Sequence, residues 1–186
     1  MKLFALAGSM RTGSFNIGLI KLATDEARRQ GAEVTLGEFR ELAPANYDGD
    51  LEIASGLPAA AQVLVRHIEQ ADGLMIATPE YNASVPGPLK NAFDWVSRVK
   101  PYRLLDKPLL LLGASSGRGG ALQGMAALRI TLNFQGAVIY PDVFSVPNGK
   151  TACDDAGRFV DPAMTEKLAR LITAYLKTVP ARTPVS

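Results

Sequence analysis

Three short stretches of the chain carry residues whose types and spacing could do chemistry. The first reads Gly8-Ser9-Met10-Arg11-Thr12-Gly13-Ser14-Phe15-Asn16. It stands between an apolar run and a helix-like segment, where backbone N–H groups and a positive helix end are open to an anion. Ser9, Thr12, Ser14 and Asn16 add hydrogen-bonding side chains and Arg11 adds charge. The group describes a phosphate cradle, or equally an ordinary strand-to-helix turn with a capping serine. G-x-x-x-x-G-K-[ST] is missing, which argues against nucleoside triphosphate hydrolysis. G-x-G-x-x-G is missing as well, so a mononucleotide phosphate fits better than a dinucleotide.

The second stretch runs from Thr78-Pro79-Glu80-Tyr81-Asn82 through Ser84, Pro86, Gly87 and Pro88 to Asn91-Ala92. Three prolines and a glycine stiffen it. Tyr81 can pack on an aromatic ligand and Asn82 can hydrogen-bond its edge, although Tyr81 reads equally as packing and Glu80 as a solvated acid. The third stretch, Ser115-Ser116-Gly117-Arg118-Gly119-Gly120, lets backbone approach a ligand closely or simply turns the chain.

Other chemistries have little to work with. Cys153 is the only cysteine and His67 the only histidine, so a disulfide, a C-x-x-C pair and a cysteine zinc cage are excluded. His67 lies on a helix-like segment beside Arg66 and Glu69 and reads as structural or exposed; Cys153, in a polar stretch, reads as a bystander. No metal site and no catalytic side chain is expected, and redox chemistry would come from a bound cofactor. The formal net charge is +2, with no basic cluster of the kind nucleic acid requires. No apolar run is long enough for a membrane span and no signal peptide is visible, so a cytoplasmic protein is expected.

The three stretches follow apolar runs that read as buried parallel strands: residues 2–7, 73–77 and 108–112, with further short strands at 33–36 and 137–140. Helices are expected at 15–30, 58–70, 88–96, 121–133 and 162–176, and an irregular connection over 38–57. In helix 88–96, Phe93 and Trp95 serve either as sheet cover or as an oligomer contact. The 186 residues suit one domain, with a loose tail from about 178. Alternating strands and helices imply an α/β sheet covered on both faces, with ligands outside the carboxyl ends of the strands. The three stretches begin at that edge.

Taken together, Gly8-Ser9-x-Arg11-x-x-Ser14-x-Asn16, the long Pro79-Glu80-Tyr81-Asn82-x-Ser84-x-Pro86-Gly87-x-Leu89-Lys90-Asn91-Ala92-x-Asp94-Trp95, and Gly113-x-Ser115-x-Gly117-x-x-Gly120 resemble the NADPH-dependent FMN reductase family, which includes quinone, chromate and azo-dye reductases. The resemblance covers the first strand to about the fifth. It implies a flavodoxin-like three-layer α/β fold with five parallel strands in the order 2-1-3-4-5. It implies that Ser9, Arg11, Ser14 and Asn16, with Phe15 beside them, bind the FMN phosphate. Pro79, Glu80, Tyr81 and Asn82 would line the ribityl chain and ring, and Ser115 and Gly117 would lie along the ring's other side. It also implies a homodimer or homotetramer.

The activity this resemblance implies is hydride transfer from NADPH or NADH through FMN to a small acceptor (a quinone, free flavin, azo compound or metal oxyanion), in two steps at one site. An electron carrier without its own substrate is the alternative, and the weak net charge speaks against it. A fold relative binding another phosphorylated ligand is a third reading. Arg11, Arg98, Arg103, Lys107 and Arg118 are candidates for the extra phosphate of NADPH.

Overall fold

The run KLFALA forms strand β1 (Lys2–Ala7), the second strand of a parallel sheet. A computed structural model of the chain describes residues 1–180. β1 is followed by α1 (Phe15–Arg29) and by β2 (Glu33–Gly37), which pairs with it in register Phe4↔Thr35. Next come α2 (Phe39–Leu42), α3 (Gly49–Ser55), α4 (Ala59–Gln70) and β3 (Gly73–Thr78). Then follow α5 (Gly87–Val96), β4 (Pro108–Ala114), α6 (Leu122–Phe134), β5 (Val138–Ile139), β6 (Phe144–Val146), α7 (Gly149–Ala152) and α8 (Pro162–Leu176). The sheet order is β2-β1-β3-β4-β5, as expected, with β6 also on β4.

Alternation along β1 decides which layer each residue feeds. Leu3, Ala5 and Ala7 face α1 and α8, whereas Phe4 and Leu6 face α4, α5 and α6. Burying both faces explains why β3 and β4 are buried throughout and apolar but for Thr78. Gly8 ends β1 where the layers close in: a Cβ there would stand 2.5 Å from Leu89 of α5. The fully buried Leu89 side chain is worth roughly 2 kcal/mol.

Several expectations are refined. The connection 38–57 is not irregular throughout, since it contains α2 and α3. Asp48 caps α3 by accepting the Asp50 N–H at 2.8 Å. α3 buries none of its residues, so it leaves no apolar periodicity to read. The fifth strand is shorter than 137–140 and shares its place: β5 pairs with Pro108 and Leu109, and β6 pairs with Leu112 to Ala114. Pro141, lacking an N–H, stands between the two. Phe93 and Trp95 are buried, and the Trp95 indole N–H donates to Ala45 O at 2.8 Å, so neither is an oligomer contact. Of the tail expected from 178, Val179 is buried and Thr178 donates to Tyr175 O; the remainder, 181–186, lies outside the described residues.

Candidate functional site

The loops after β1, β3 and β4 meet at the carboxyl edge of the sheet around a cleft of about 160 Å³. Ser9, Arg11, Ser14, Phe15 and Asn16 line it from the first loop, Pro79, Glu80 and Tyr81 from the second, and Ser115 from the third. Ala114 and Ser116, not singled out in the sequence, complete the wall. Asn82 and Gly117 do not line it.

The first loop is built to present donors. Ser14 is the N-cap of α1, and its Oγ accepts the Asn16 N–H at 3.3 Å. The Ser9 Oγ accepts the Arg11 N–H at 3.4 Å. The N–H groups of Thr12, Gly13 and Phe15 find no acceptor among the described residues. No acid occupies the first turn of α1, while Arg28 and Arg29 occupy the last, so the helix keeps its positive end toward the cleft. The Arg11 guanidinium carbon lies 5.2 Å from the Phe15 ring centroid, a cation–π contact that holds the charge at the mouth. Hydroxyls, free N–H groups, a guanidinium and a helix end form a donor set that fits a phosphate.

Asn16 has a different task from its neighbours. Its side-chain amide donates to Ala114 O and accepts the Ala114 N–H, both at 2.9 Å and both buried. It therefore joins the first loop to the end of β4.

The second loop is a small hairpin. Tyr81 and Ser84 exchange backbone hydrogen bonds of 3.0 and 3.1 Å around Asn82 and Ala83, whose φ angles are 51° and 58°. That is a turn with both central residues left-handed; asparagine accepts this conformation readily and alanine does not. Asn82 is a turn residue here, and Tyr81, 50% exposed, presents its ring at the cleft. Glu80 is not a solvated acid: its Oε2 accepts the N–H groups of Gln123 and Gly124, at 2.9 and 3.1 Å, at the start of α6. Nothing in the local sequence connects these residues. The end of the motif is scaffold: Asn91 donates to Pro44 O and Ala45 O and accepts the Tyr47 N–H.

The third loop is tied to the chain after β6. Asn148 N–H donates to Gly117 O and Gly149 N–H to Ser115 O, at 2.9 and 2.8 Å. Of the cations considered for a second phosphate, Arg98 is engaged by Glu52 and Arg103 by Glu69, both at 2.9 Å, and Lys107 donates to Ala71 O. Arg11 and Arg118 stand on the loops of the site itself.

Larger hollows of about 450 and 780 Å³ lie along α1 and the segment after β6. The smaller shares Ser14, Phe15 and Ala114 with the cleft but touches no residue of the second loop. Cys153 lines it; burial and then the charge of Asp154 push its thiol up, which leaves little thiolate at neutral pH. His67 is stacked on Phe4, centroids 5.0 Å apart, far along the sheet from these loops. No group of metal-ligating side chains occurs among the described residues.

Comparison with known proteins agrees with this geometry. Residues 1–151 match the family described as NADPH-dependent FMN reductase. A quinone reductase of Escherichia coli K12 is 34% identical over 177 residues, covering 94% of this chain and 93% of that protein. The flavoenzyme NAD(P)H:(acceptor) oxidoreductase FerB from Paracoccus denitrificans superposes with a TM-score of 0.83 at 28% identity, covering 96% of each chain. Flavodoxin 1 from Bacillus cereus, at 15% identity and a TM-score of 0.62 over 95% of this chain and 98% of its own, shares the fold.

Proposed function

The chain belongs to the NADPH-dependent FMN reductase family, and from that premise we propose that the cleft at the ends of β1, β3 and β4 seats FMN with its phosphate on α1 and its ring beside Tyr81. The observation that carries the reading is the meeting, in one cleft, of the expected site residues from three distant loops, all but Asn82 and Gly117. The protein is an NAD(P)H-dependent flavin oxidoreductase of the FMN and quinone reductase class.

FMN, when bound, would supply the redox chemistry, hydride acceptance from a reduced nicotinamide and onward reduction of an acceptor. The chain's residues bind and orient. Ser9, Ser14, Arg11 and the free N–H groups of Thr12, Gly13 and Phe15 hold the phosphate dianion. A cleft of about 160 Å³ is smaller than a typical ligand pocket and suits the phosphate and polyol chain, and Tyr81 and Ser115 would flank the ring. A ring held at the rim would meet donor and acceptor in turn. Quinones are the leading acceptors; free flavin, azo compounds and chromate belong to the same proposal. With Arg11 given to the FMN phosphate, Arg118 on the third loop is the candidate for the extra phosphate of NADPH.

The proposal includes a homo-oligomer, a dimer or a tetramer. Its support is the outer face of α6, where Leu122, Ala126, Ile130 and Phe134 recur every fourth residue and all are exposed, Ile130 to 74% and Phe134 to 76%. Arg129 is turned away to Tyr140 O and Pro141 O. A self-complementary apolar stripe of this kind suits a two-fold helix-to-helix contact.

The deciding experiment is the visible spectrum of the purified protein, followed by NADPH or NADH without oxygen. A yellow protein that releases FMN on denaturation and bleaches with either nucleotide is expected. Flavin that stays oxidised would favour a carrier, and a colourless protein that takes up no added FMN would overturn the assignment.

A further inference from the structure

α6 begins without a cap of its own. Ala121, in the N-cap position, is left-handed at φ 63° and offers no side-chain acceptor. The N–H groups of a first helical turn are orphans unless something outside the helix accepts them. Here Gln123 and Gly124 are served by Glu80, from the loop after β3. The same helix admits that loop at van der Waals distance. A Cβ on Gly124 would stand 2.9 Å from Pro79 O and 3.1 Å from the Glu80 Cα, so only glycine lets the loop backbone lie on α6.

The clamp joins two walls of one cleft. Tyr81 follows Glu80 directly, on a hairpin closed by its own hydrogen bonds. α6 is continuous with the third loop, since the Leu122 N–H donates to Gly119 O at 3.1 Å, and Ser115 and Ser116 of that loop line the cleft together with Tyr81. The phosphate donors Ser9, Arg11 and Ser14 belong to the first loop and take no part in the clamp.

We propose that Glu80 is a positioning residue: by capping α6 it sets the gap between Tyr81 and the third loop, and so the seat of the flavin ring and the fit of the nicotinamide donor that meets it. Its kinetic consequence rests on the flavin reductase reading; its structural half does not.

Three variants test it. In the apoprotein, Glu80→Ala should speed hydrogen exchange at the Gln123 and Gly124 amides about tenfold, with Glu80→Gln, which keeps one acceptor oxygen, in between. Glu80→Ala should raise the FMN dissociation constant about tenfold and, at saturating FMN, raise the KM for NADPH about tenfold. Gly124→Ala leaves the carboxylate in place but lifts the loop, and should reproduce that KM rise. Unchanged exchange in Glu80→Ala would overturn the clamp. A KM rise in Glu80→Ala with a silent Gly124→Ala would overturn it too, because Glu80 would then act by touching the bound molecule. If Glu80→Ala does not fold, Glu80→Gln carries both measurements. A protein that takes up no FMN would sink the flavin reading, while exchange at Gln123 and Gly124 would still decide the clamp.

Discussion

Asn16 and Ala114 exchange two hydrogen bonds of 2.9 Å, side-chain amide to backbone, between the first turn of α1 and the last residue of β4. Each partner is buried, so neither backbone group has water to turn to if the amide is removed. Asn16→Ala should therefore cost about 2–4 kcal/mol of unfolding free energy, measured by urea denaturation of the apoprotein. A loss below about 1 kcal/mol would mean that water replaces the amide and that the tie is not needed.

Arg11 stands at the cleft mouth over Phe15. Arg11→Ala should weaken FMN retention by about 1.5–3 kcal/mol, roughly a tenfold to hundredfold rise in dissociation constant, and reduce its salt dependence. Titration of the apoprotein with FMN measures both. An unchanged dissociation constant removes Arg11 from the phosphate site.

Ala83 holds a left-handed φ of 58° in the hairpin that carries Tyr81. An L-residue there costs about 1–2 kcal/mol, which glycine avoids at some entropic cost to the unfolded chain. Ala83→Gly should stabilise the protein by about 0.5–1 kcal/mol, seen as a higher Tm. A lower Tm would show that the hairpin gains from the Ala83 side chain more than the strain removes.

Burial pushes the Tyr175 phenol well above its ordinary range, and its O–H lies 2.9 Å from Leu74 O and 3.2 Å from Pro108 O. A phenol raised in the folded state contributes fully below its unfolded pKa of about 10 and loses that contribution as pH rises beyond it. Stability should fall above pH 10 by about 1.4 kcal/mol per unit more steeply than in Tyr175→Phe. That variant should cost about 1 kcal/mol at pH 7. Parallel pH profiles for the two proteins would show that the phenol is not what titrates.

The α6 stripe ends in Ile130 and Phe134, which touch solvent in the single chain. Ile130→Glu with Phe134→Glu should shift the mass found by light scattering toward that of the single chain, and change the chain's own stability by no more than about 0.5 kcal/mol. An unchanged mass would place the oligomer contact on another face.

The order of elements and the identity of the three loops could be read from the chain because both are local. Runs such as LFALA and PLLLL are apolar along their whole length, as a strand covered on both faces requires, and each ends at the loop that serves the site. Ser14 as a cap and the left-handed tolerance of Asn82 follow from side chains acting on backbone one or two residues away. What could not be read there depends on neighbours far apart in the chain. The chain alone groups Asn16 with the phosphate donors, and only the fold engages its amide at Ala114; Glu80 reads as a ring contact or a solvated acid, and only the fold brings α6 beside it. α3 buries nothing and so left no periodicity, and Phe93 and Trp95 could be assigned to core or contact only once the chain around Ala45 covered them. Local sequence decides which conformations and donors are offered. Tertiary packing decides which of them are consumed within the protein and which remain for a ligand, because a hydrogen-bonding group used in the interior is no longer free at the surface.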